Sequence, residues 1–445
     1  MELRADATNH NPWTRIGRTL STTHIAIIIF SLSFLIYAFS PQGTPTSYSL
    51  LQPGEVARTS ISVAQRGTFG DPFASLPTGF TAHVAPAYVF LYAGVAKLFG
   101  VGRAGAIALW SLNIGLLALQ FALLPVLSQR LGLGVLPGVC AALFSVIIQP
   151  YRVLPEWESL FTGALMVALC VITLPYLKSP RDWQHSALLG FLWGIAILAS
   201  PQCVLLLFAW SHVAAMENSR EHLARARSAM LIVVAGAALA CMPWFIRNYQ
   251  RFHTVFFVRD NFGLELSTSN NSCARPTLLE NINSRCHFKT HPNPNPEIAG
   301  EVIDKGEIQF NREQLDQALV WILSNPRAFA LLTERRFLKF WFPYLGGLRY
   351  AIPTGAITII SFAGIAIMFR NNRRAAWMLT STLLLYPLVH YFVQFEARYR
   401  YPIFWATFLP AAYAVSETVR WMQTKFQSGR MASEGKDELV AVFEK

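Results

Sequence analysis

The acids and arginines of this 445-residue chain gather in a few short polar stretches: Glu55 with Arg58, Asp71, His83, Glu156 with Glu158, Arg247, Arg259 with Asp260, and Glu396 with Arg398 and Arg400. A carboxylate can take a proton from a hydroxyl, and an imidazole can hydrogen-bond a substrate or a phosphate. A planar guanidinium can grip two phosphate oxygens and keeps its charge beside apolar surroundings. Links this short force their side chains down onto the ends of the flanking elements, so several can converge on one cavity.

Those elements are apolar helices. Hydrophobic residues make up 53% of the chain and charged residues 14%, with a positive mean hydropathy. A soluble domain carries charge at roughly one residue in four, so lipid is the expected solvent. The excess of 37 Lys and Arg over 25 Asp and Glu comes in short clusters between apolar runs. That is the pattern of membrane topology, and it excludes a groove for nucleic acid.

The apolar runs are Thr22 to Phe39, Gly105 to Leu127, Leu133 to Ile148, Leu160 to Leu177, Ala187 to Ala199, Gln202 to Ala215, Ala229 to Phe245, Ile352 to Phe369, Ala375 to Val393 and Ile403 to Val419. The first follows a polar leader, Met1 to Arg18, without a small-residue cleavage site, and reads as an uncleaved span. The expected fold is an all-α polytopic membrane bundle of about ten transmembrane helices, several of which need flanking turns to reach the roughly twenty residues of a span. The fifth and sixth runs must turn at Ser200-Pro201, because basic clusters flank both of their far ends.

Arg15 with Arg18, Arg130, Lys178 with Arg181, Arg220 to Arg227, Arg370 with Arg373 and Arg374, and the tail from Arg420 alternate onto one side, placing both termini in the cytoplasm. The stretches 41–103, 149–158, 247–350 and 394–400 then share the opposite face. In the first of these, Glu55 to Gln65 reads as a short helix, and Ala85 to Phe99 as an apolar helix lying in the interface. In the third, Pro326 to Trp341 carries Arg335, Arg336 and Lys339 beside Trp341 and Phe342, as an interfacial helix does. The implied organisation is a membrane module over 1–246 with a functional first loop at 41–103, an extracytoplasmic segment over 247–350, further spans over 351–420 and a cytoplasmic tail over 421–445.

Ionisable residues are nearly absent from the middle of the runs, which disfavours a transporter. Cys140, Cys170, Cys203 and Cys241 sit inside apolar runs as small hydrophobes. Cys273 and Cys286 share the long polar segment, where an oxidising compartment allows a disulfide. His287 and His291 lie next to Cys286, but the spacing matches no common zinc pattern. No Asp-x-Asp pair occurs on the polar face, so neither a metal nor a cofactor is expected.

The order of motifs resembles the GT-C class of lipid-phosphosugar glycosyltransferases, in its protein mannosyltransferase and aminoarabinose transferase-like branch (glycosyltransferase family 39/83-like). It runs through Pro53-Gly54-Glu55-Val-Ala-Arg58, Arg66-Gly67-Thr68-Phe69, Thr81-Ala82-His83-Val-Ala-Pro86, Lys97-Leu-Phe-Gly100, Pro150 with Glu158, Trp244-Phe-Ile-Arg247-Asn248-Tyr249 and Glu396-Ala-Arg398-Tyr399-Arg400-Tyr-Pro402. Relatives carry Asp or Asp-Glu where Gly54-Glu55 stands here, and His-Pro-Pro where this chain has His83-Val-Ala-Pro86.

The resemblance implies transfer of a sugar from a polyprenyl phosphate to an acceptor hydroxyl on a glycan, lipid or protein, with inversion, at the extracytoplasmic face of a cell (inner) membrane. It makes Glu55 the base and Glu158 a second carboxylate that positions the acceptor or shares the base role. Arg247 and Arg398, then Arg400 and Arg259, become phosphate ligands, with Arg58 and His83 as further substrate contacts. Each has a plainer reading. Glu55 complements a helix dipole, Glu158 caps a span, the arginines anchor helix ends to headgroups, and Glu396 is the ion-pair partner of Arg398. The competing functions are a lipid-linked glycan polymerase or ligase and a non-catalytic lipid carrier or flippase.

The orientation is open to test. A membrane-impermeant thiol reagent added to intact cells should label the variant Asp304→Cys and leave Asn371→Cys unlabelled; the opposite pattern would invert the topology.

Overall fold

The computed structural model describes residues 21–40, 54–148, 158–178, 182–215, 220–343 and 348–443. Arg15, Arg18, the stretch 41–53, Pro150, Glu156 and Arg181 lie outside them.

Each apolar run falls on a helix. In chain order these are α1 (Thr22–Ala38), α2 (Glu55–Arg66), α3 (Pro86–Phe99), α4 (Arg103–Arg130), α5 (Val135–Ile148), α6 (Ser159–Lys178), α7 (Trp183–Ala199), α8 (Cys203–Ala215) and α9 (Arg220–Phe252). Five short or amphipathic helices follow, α10 (Phe262–Ser269), α11 (Leu278–Asn283), α12 (Cys286–Thr290), α13 (Pro296–Lys305) and α14 (Glu307–Ser324), then α15 (Pro326–Trp341). The chain closes with α16 (Leu348–Asn371), α17 (Arg373–Leu385) and α18 (Phe404–Phe443), with 3-10 turns at Leu388–Tyr391 and Ala397–Ile403. The turn at Ser200-Pro201 separates α7 from α8. The helix α9 runs unbroken across residue 246, and α18 continues past residue 420.

Three of the helices, over Arg103–Arg130, Ala226–Phe252 and Ala351–Asn371, are long and apolar enough to cross a bilayer by themselves, and several shorter apolar helices accompany them. The architecture is that of a polytopic α-helical membrane protein. In such a protein no hydrophobic force separates helix from lipid, so close backbone approach and buried polar contacts hold the bundle together. The seam between α7 and α9 shows this. A methyl group at Gly190 would overlap the backbone of Val233, and Gly236 of α9 lies against the carbonyl of Ala187.

At the centre, Trp193, Trp210 and Trp405 form an edge-to-face chain with centroids 5.4 and 6.4 Å apart. The indole N–H of Trp193 donates to Thr173 at 3.1 Å and that of Trp210 to Thr382 at 3.0 Å, so their burial leaves no polar group unmet.

The segment 253–343 is welded to the bundle by cations that are themselves buried. Arg336 is fully buried and donates to Asn270 Oδ1 at 3.0 Å, to the Phe392 carbonyl at 2.9 Å and to the Ser269 carbonyl. The Phe395 amide donates to the Pro276 carbonyl at 2.8 Å, and the Leu278 amide donates to the Phe395 carbonyl at 3.1 Å. A disulfide joins Cys273 to Cys286 and closes the loop around α11.

Gly190→Ala should lower stability by about 1–3 kcal/mol, because the backbone it meets cannot swing aside as a side chain would. The thermal midpoint in detergent reads this; an unchanged midpoint would mean that α7 and α9 are not seated so closely.

Candidate functional site

One cavity collects polar side chains from several separate stretches of chain. Its lining includes Glu55, His83, Glu158, Arg259, Glu265, His390, Arg398 and Tyr399, around a cavity of about 100 Å3.

Glu55 opens α2, with Gly54 in extended conformation at the N-cap, so its carboxylate stands at the positive end of the helix dipole. His83 lies in the turn before α3, which Pro86 starts with its fixed φ. The His83 ring donates through Nε2 to Glu55 Oε2 at 3.0 Å, and His291 Nε2 lies 3.5 Å from Glu55 Oε1. One imidazole thus faces each carboxylate oxygen, and the remaining lone pairs are left for the cavity.

The loop carrying His83 is clamped from two sides. Glu307, buried on α14, accepts from the Thr81 hydroxyl and from the Ala82 amide, both at 2.6 Å, and the Thr81 hydroxyl accepts from the His83 amide at 2.9 Å. From α9, Arg247 donates to the carbonyls of Thr81 and Phe69, both at 2.9 Å, and its guanidinium lies over the rings of Phe69 and Trp244 at 5.1 and 4.7 Å.

Electrostatics follow from these contacts. Burial opposes charge on His83, but the facing Glu55 carboxylate outweighs it and raises the imidazole to about 8. Burial alone would raise the Glu55 carboxyl; His83 first, then His291, instead hold it well below the usual carboxylate range. Burial drives His291 down to about 3 against the pull of Glu55, so this ring is neutral. Burial also lifts Glu307 to about 7, against the hydrogen bonds from Thr81 and Ala82. Glu265 is raised by burial and by the nearby Glu55.

The ligand atoms of Glu55, His83 and His291 lie within 4.8 Å of one another, which makes this trio the candidate for a cation among the described residues. Its donor set does not fit one. His291 Nδ1 accepts from the Asn293 amide at 3.0 Å, so the ring's proton sits on Nε2, the atom that faces Glu55. His83 Nδ1 is buried without a hydrogen-bond partner, whereas a metal-ligating histidine normally donates its other N–H to an orienting acceptor. The arrangement is a carboxylate that accepts a hydrogen bond from His83 and is faced by the His291 ring.

Five of the eight residues singled out from the sequence, Glu55, His83, Glu158, Arg259 and Arg398, line the cavity together. Arg398 is paired with Glu396 at 2.7 Å. Glu158 Oε2 is buried with no partner among the described residues, an acceptor without a donor. The other three do not line it. Arg247 clamps the His83 loop, as described. Arg400 is fully buried and donates to the Trp341 carbonyl at 2.5 Å and to Thr358 Oγ1 at 2.6 Å, joining α15 to α16. Arg58 sits on α2 away from the lining.

His291, Glu265 and Glu307 were not among the residues assigned a role in the site. The sequence does set His291 beside Cys286, but only the disulfide and the fold bring it to Glu55. Nothing local marks Glu265 or Glu307.

No protein-family model matches the chain, and no curated protein does. Among solved structures, the fold is similar to that of the archaeal oligosaccharyltransferase AglB from Archaeoglobus fulgidus, in complex with an inhibitory peptide and a dolichol-phosphate. The TM-score is 0.53 at 16% identity, covering 91% of this chain and 52% of that one. The A. fulgidus oligosaccharyltransferase in complex with Zn and sulfate matches equally, at TM-score 0.53 and 16% identity over 91% of this chain and 51% of that one. ArnT from Cupriavidus metallidurans bound to undecaprenyl phosphate aligns over 90% of this chain and 77% of that one at 13% identity, with a TM-score of 0.38. The chain spans about half the length of the oligosaccharyltransferase structures, and at this identity the likeness establishes a shared GT-C-like fold.

A pH dependence follows for the clamp. With His83 raised from 6.5 to about 8, its ion pair with Glu55 stabilises the fold fully below pH 6.5 and is lost as the pH rises through 8. Thermal midpoints in detergent should fall over that interval, and His83→Gln should flatten this part of the curve; an identical decline in the variant would remove His83 as its source.

Proposed function

We propose that the chain is an inverting glycosyltransferase that moves a sugar from a polyprenyl-phosphate donor to an acceptor hydroxyl at the extracytoplasmic side of a cell membrane. The observation that carries this reading is the meeting of Glu55 and Glu158 with Arg259 and Arg398 in one cavity. The GT-C-like fold supports it. So does the dolichol-phosphate in the archaeal oligosaccharyltransferase complex, a lipid phosphate of the same class as the proposed leaving group.

In this reading the acceptor oxygen attacks the anomeric carbon, the bond from that carbon to the phosphate oxygen breaks, and the lipid phosphate departs with the electron pair. Glu55 accepts the hydroxyl proton through a lone pair facing the cavity. His83 and His291 keep the carboxylate ionised and aimed. Glu158, whose Oε2 lacks a donor, takes the hydrogen bond of a substrate hydroxyl. Arg398 and Arg259 stabilise the charge that builds on the phosphate, and Glu396 restrains the Arg398 guanidinium. Arg247 and Arg400 are structural in this scheme, holding the loop and the helices that shape the cavity.

The test is a panel of labelled polyprenyl-phosphate and polyprenyl-diphosphate sugars offered to the full chain in nanodiscs. Transfer from a monophosphate donor is expected, and Glu55→Gln should lower kcat by about 10²–10⁴ with KM little changed, as for loss of a general base. Consumption of diphosphate donors alone would favour a polymerase or ligase. A Gln variant working at the normal rate would remove Glu55 from the chemistry, and lipid movement without bond formation would favour a carrier.

A further inference from the structure

A second polar depression lies where α11 meets α15, apart from the cavity. It is lined by Arg275, Pro276, Glu280, Arg335 and Lys339, among others, so three cations face one acid. Lys339 is paired with Glu280 at 2.9 Å. The guanidinium groups of Arg275 and Arg335 have no hydrogen bond or ion pair among the described residues.

The wall that presents Arg275 is rigid. The buried Asn281 side chain accepts from the Arg275 amide at 2.7 Å and donates to its carbonyl at 3.1 Å, and it reaches Gln394 Oε1 at 2.8 Å. The disulfide between Cys273 and Cys286 closes the same loop. A charge held on so fixed a backbone needs little ordering to meet a ligand.

The surroundings say which ligand. Leu331, Arg335 and Leu338 of α15 recur at spacings of four and three residues, which puts them on one face, and Phe342 follows at its C-cap. Leu331, Leu338 and Phe342 are 45, 47 and 43% exposed, and Leu279 and Ile282 of α11 are 67 and 38% exposed. Exposed aliphatic and aromatic residues interleaved with unpaired guanidinium groups are the surface of an interfacial helix, whose apolar face enters the acyl boundary while its cations meet headgroup phosphates. Continuity along the chain agrees: α15 ends at Trp341, and α16, which holds one of the long apolar spans, begins at Leu348.

We propose that this groove binds the phosphate of an anionic bilayer lipid, as a lipid-headgroup site separate from the cavity. Arg275 and Arg335 grip the phosphate, and Leu279, Leu331 and Leu338 seat the helices against the acyl chains. Because Pro276 and Leu278 are tied by backbone hydrogen bonds to Phe395, three residues before Arg398, a seated lipid also steadies the link that lines the cavity.

The test uses the full chain and does not depend on sugar transfer. Native mass spectrometry of the protein from mixed phosphatidylglycerol and phosphatidylcholine nanodiscs should show selective retention of phosphatidylglycerol. The double variant Arg275→Ser, Arg335→Ser should weaken that retention about tenfold. The double variant to Lys should keep most of it, and Arg398→Ala should leave it unchanged. Both groove positions are exposed, and thermal midpoints equal to the parent's check that the variants fold. Equal retention of both lipids, or retention unaffected by the Ser variant, would overturn the proposal. So would pyrophosphate binding in lipid-free micelles that the Ser variant loses while phosphatidylglycerol retention persists, since the groove would then serve a soluble anion.

Discussion

The Thr81–His83 loop is the constraint on which the rest of this structure turns. It is a buried stretch of irregular backbone, and inside protein or lipid every amide and carbonyl without a partner is costly. Glu307 takes its hydroxyl and amide donors, and Arg247 takes its carbonyl. Those two side chains come from α14 and α9, so the loop is also one of the places where the segment 253–343 is locked to the helical bundle. His83 can press on Glu55 only because this lock is closed.

The same requirement explains the buried Arg336 and Arg400 and the half-buried Arg247. Arg247, Arg336 and Arg400 direct their donors largely to backbone carbonyls at loop and helix ends. A guanidinium offers five donors in a fixed plane, so one side chain can satisfy several carbonyls at once and stay charged in an apolar setting. Such arginines are rivets between elements. Arg259 and Arg398 differ in that their side chains border empty space, which is what ligand binding requires.

Glu55 illustrates how two neutralising influences can be set against each other. Burial alone would push this carboxylate toward its neutral form, yet two imidazoles and the N-terminus of α2 keep it ionised. The imidazoles themselves are driven apart, His83 toward the charged form and His291 toward the neutral one, because only His83 makes the short contact to the carboxylate while both suffer burial. The result is an anion with free lone pairs aimed into a cavity, a preorganised acceptor for a proton or a hydroxyl.

Much of this was legible in the chain alone. Hydropathy placed the helices, because lipid demands long apolar stretches, and the turn at Ser200-Pro201 followed from charge on its flanks. The short links compelled Glu55, His83, Glu158, Arg259 and Arg398 toward one another, since few residues separate them from helix ends. What the chain could not show is which arginine faces a ligand and which faces a carbonyl. Arg247, Arg398 and Arg400 all follow aromatic or acidic neighbours at helix ends, and nothing in their local sequence distinguishes a rivet from a phosphate ligand. That distinction, like the arrival of His291 and Glu307 from more than two hundred residues away, belongs to tertiary packing: burial and the direction of a side chain are properties of what surrounds it, and those neighbours come from distant parts of the chain.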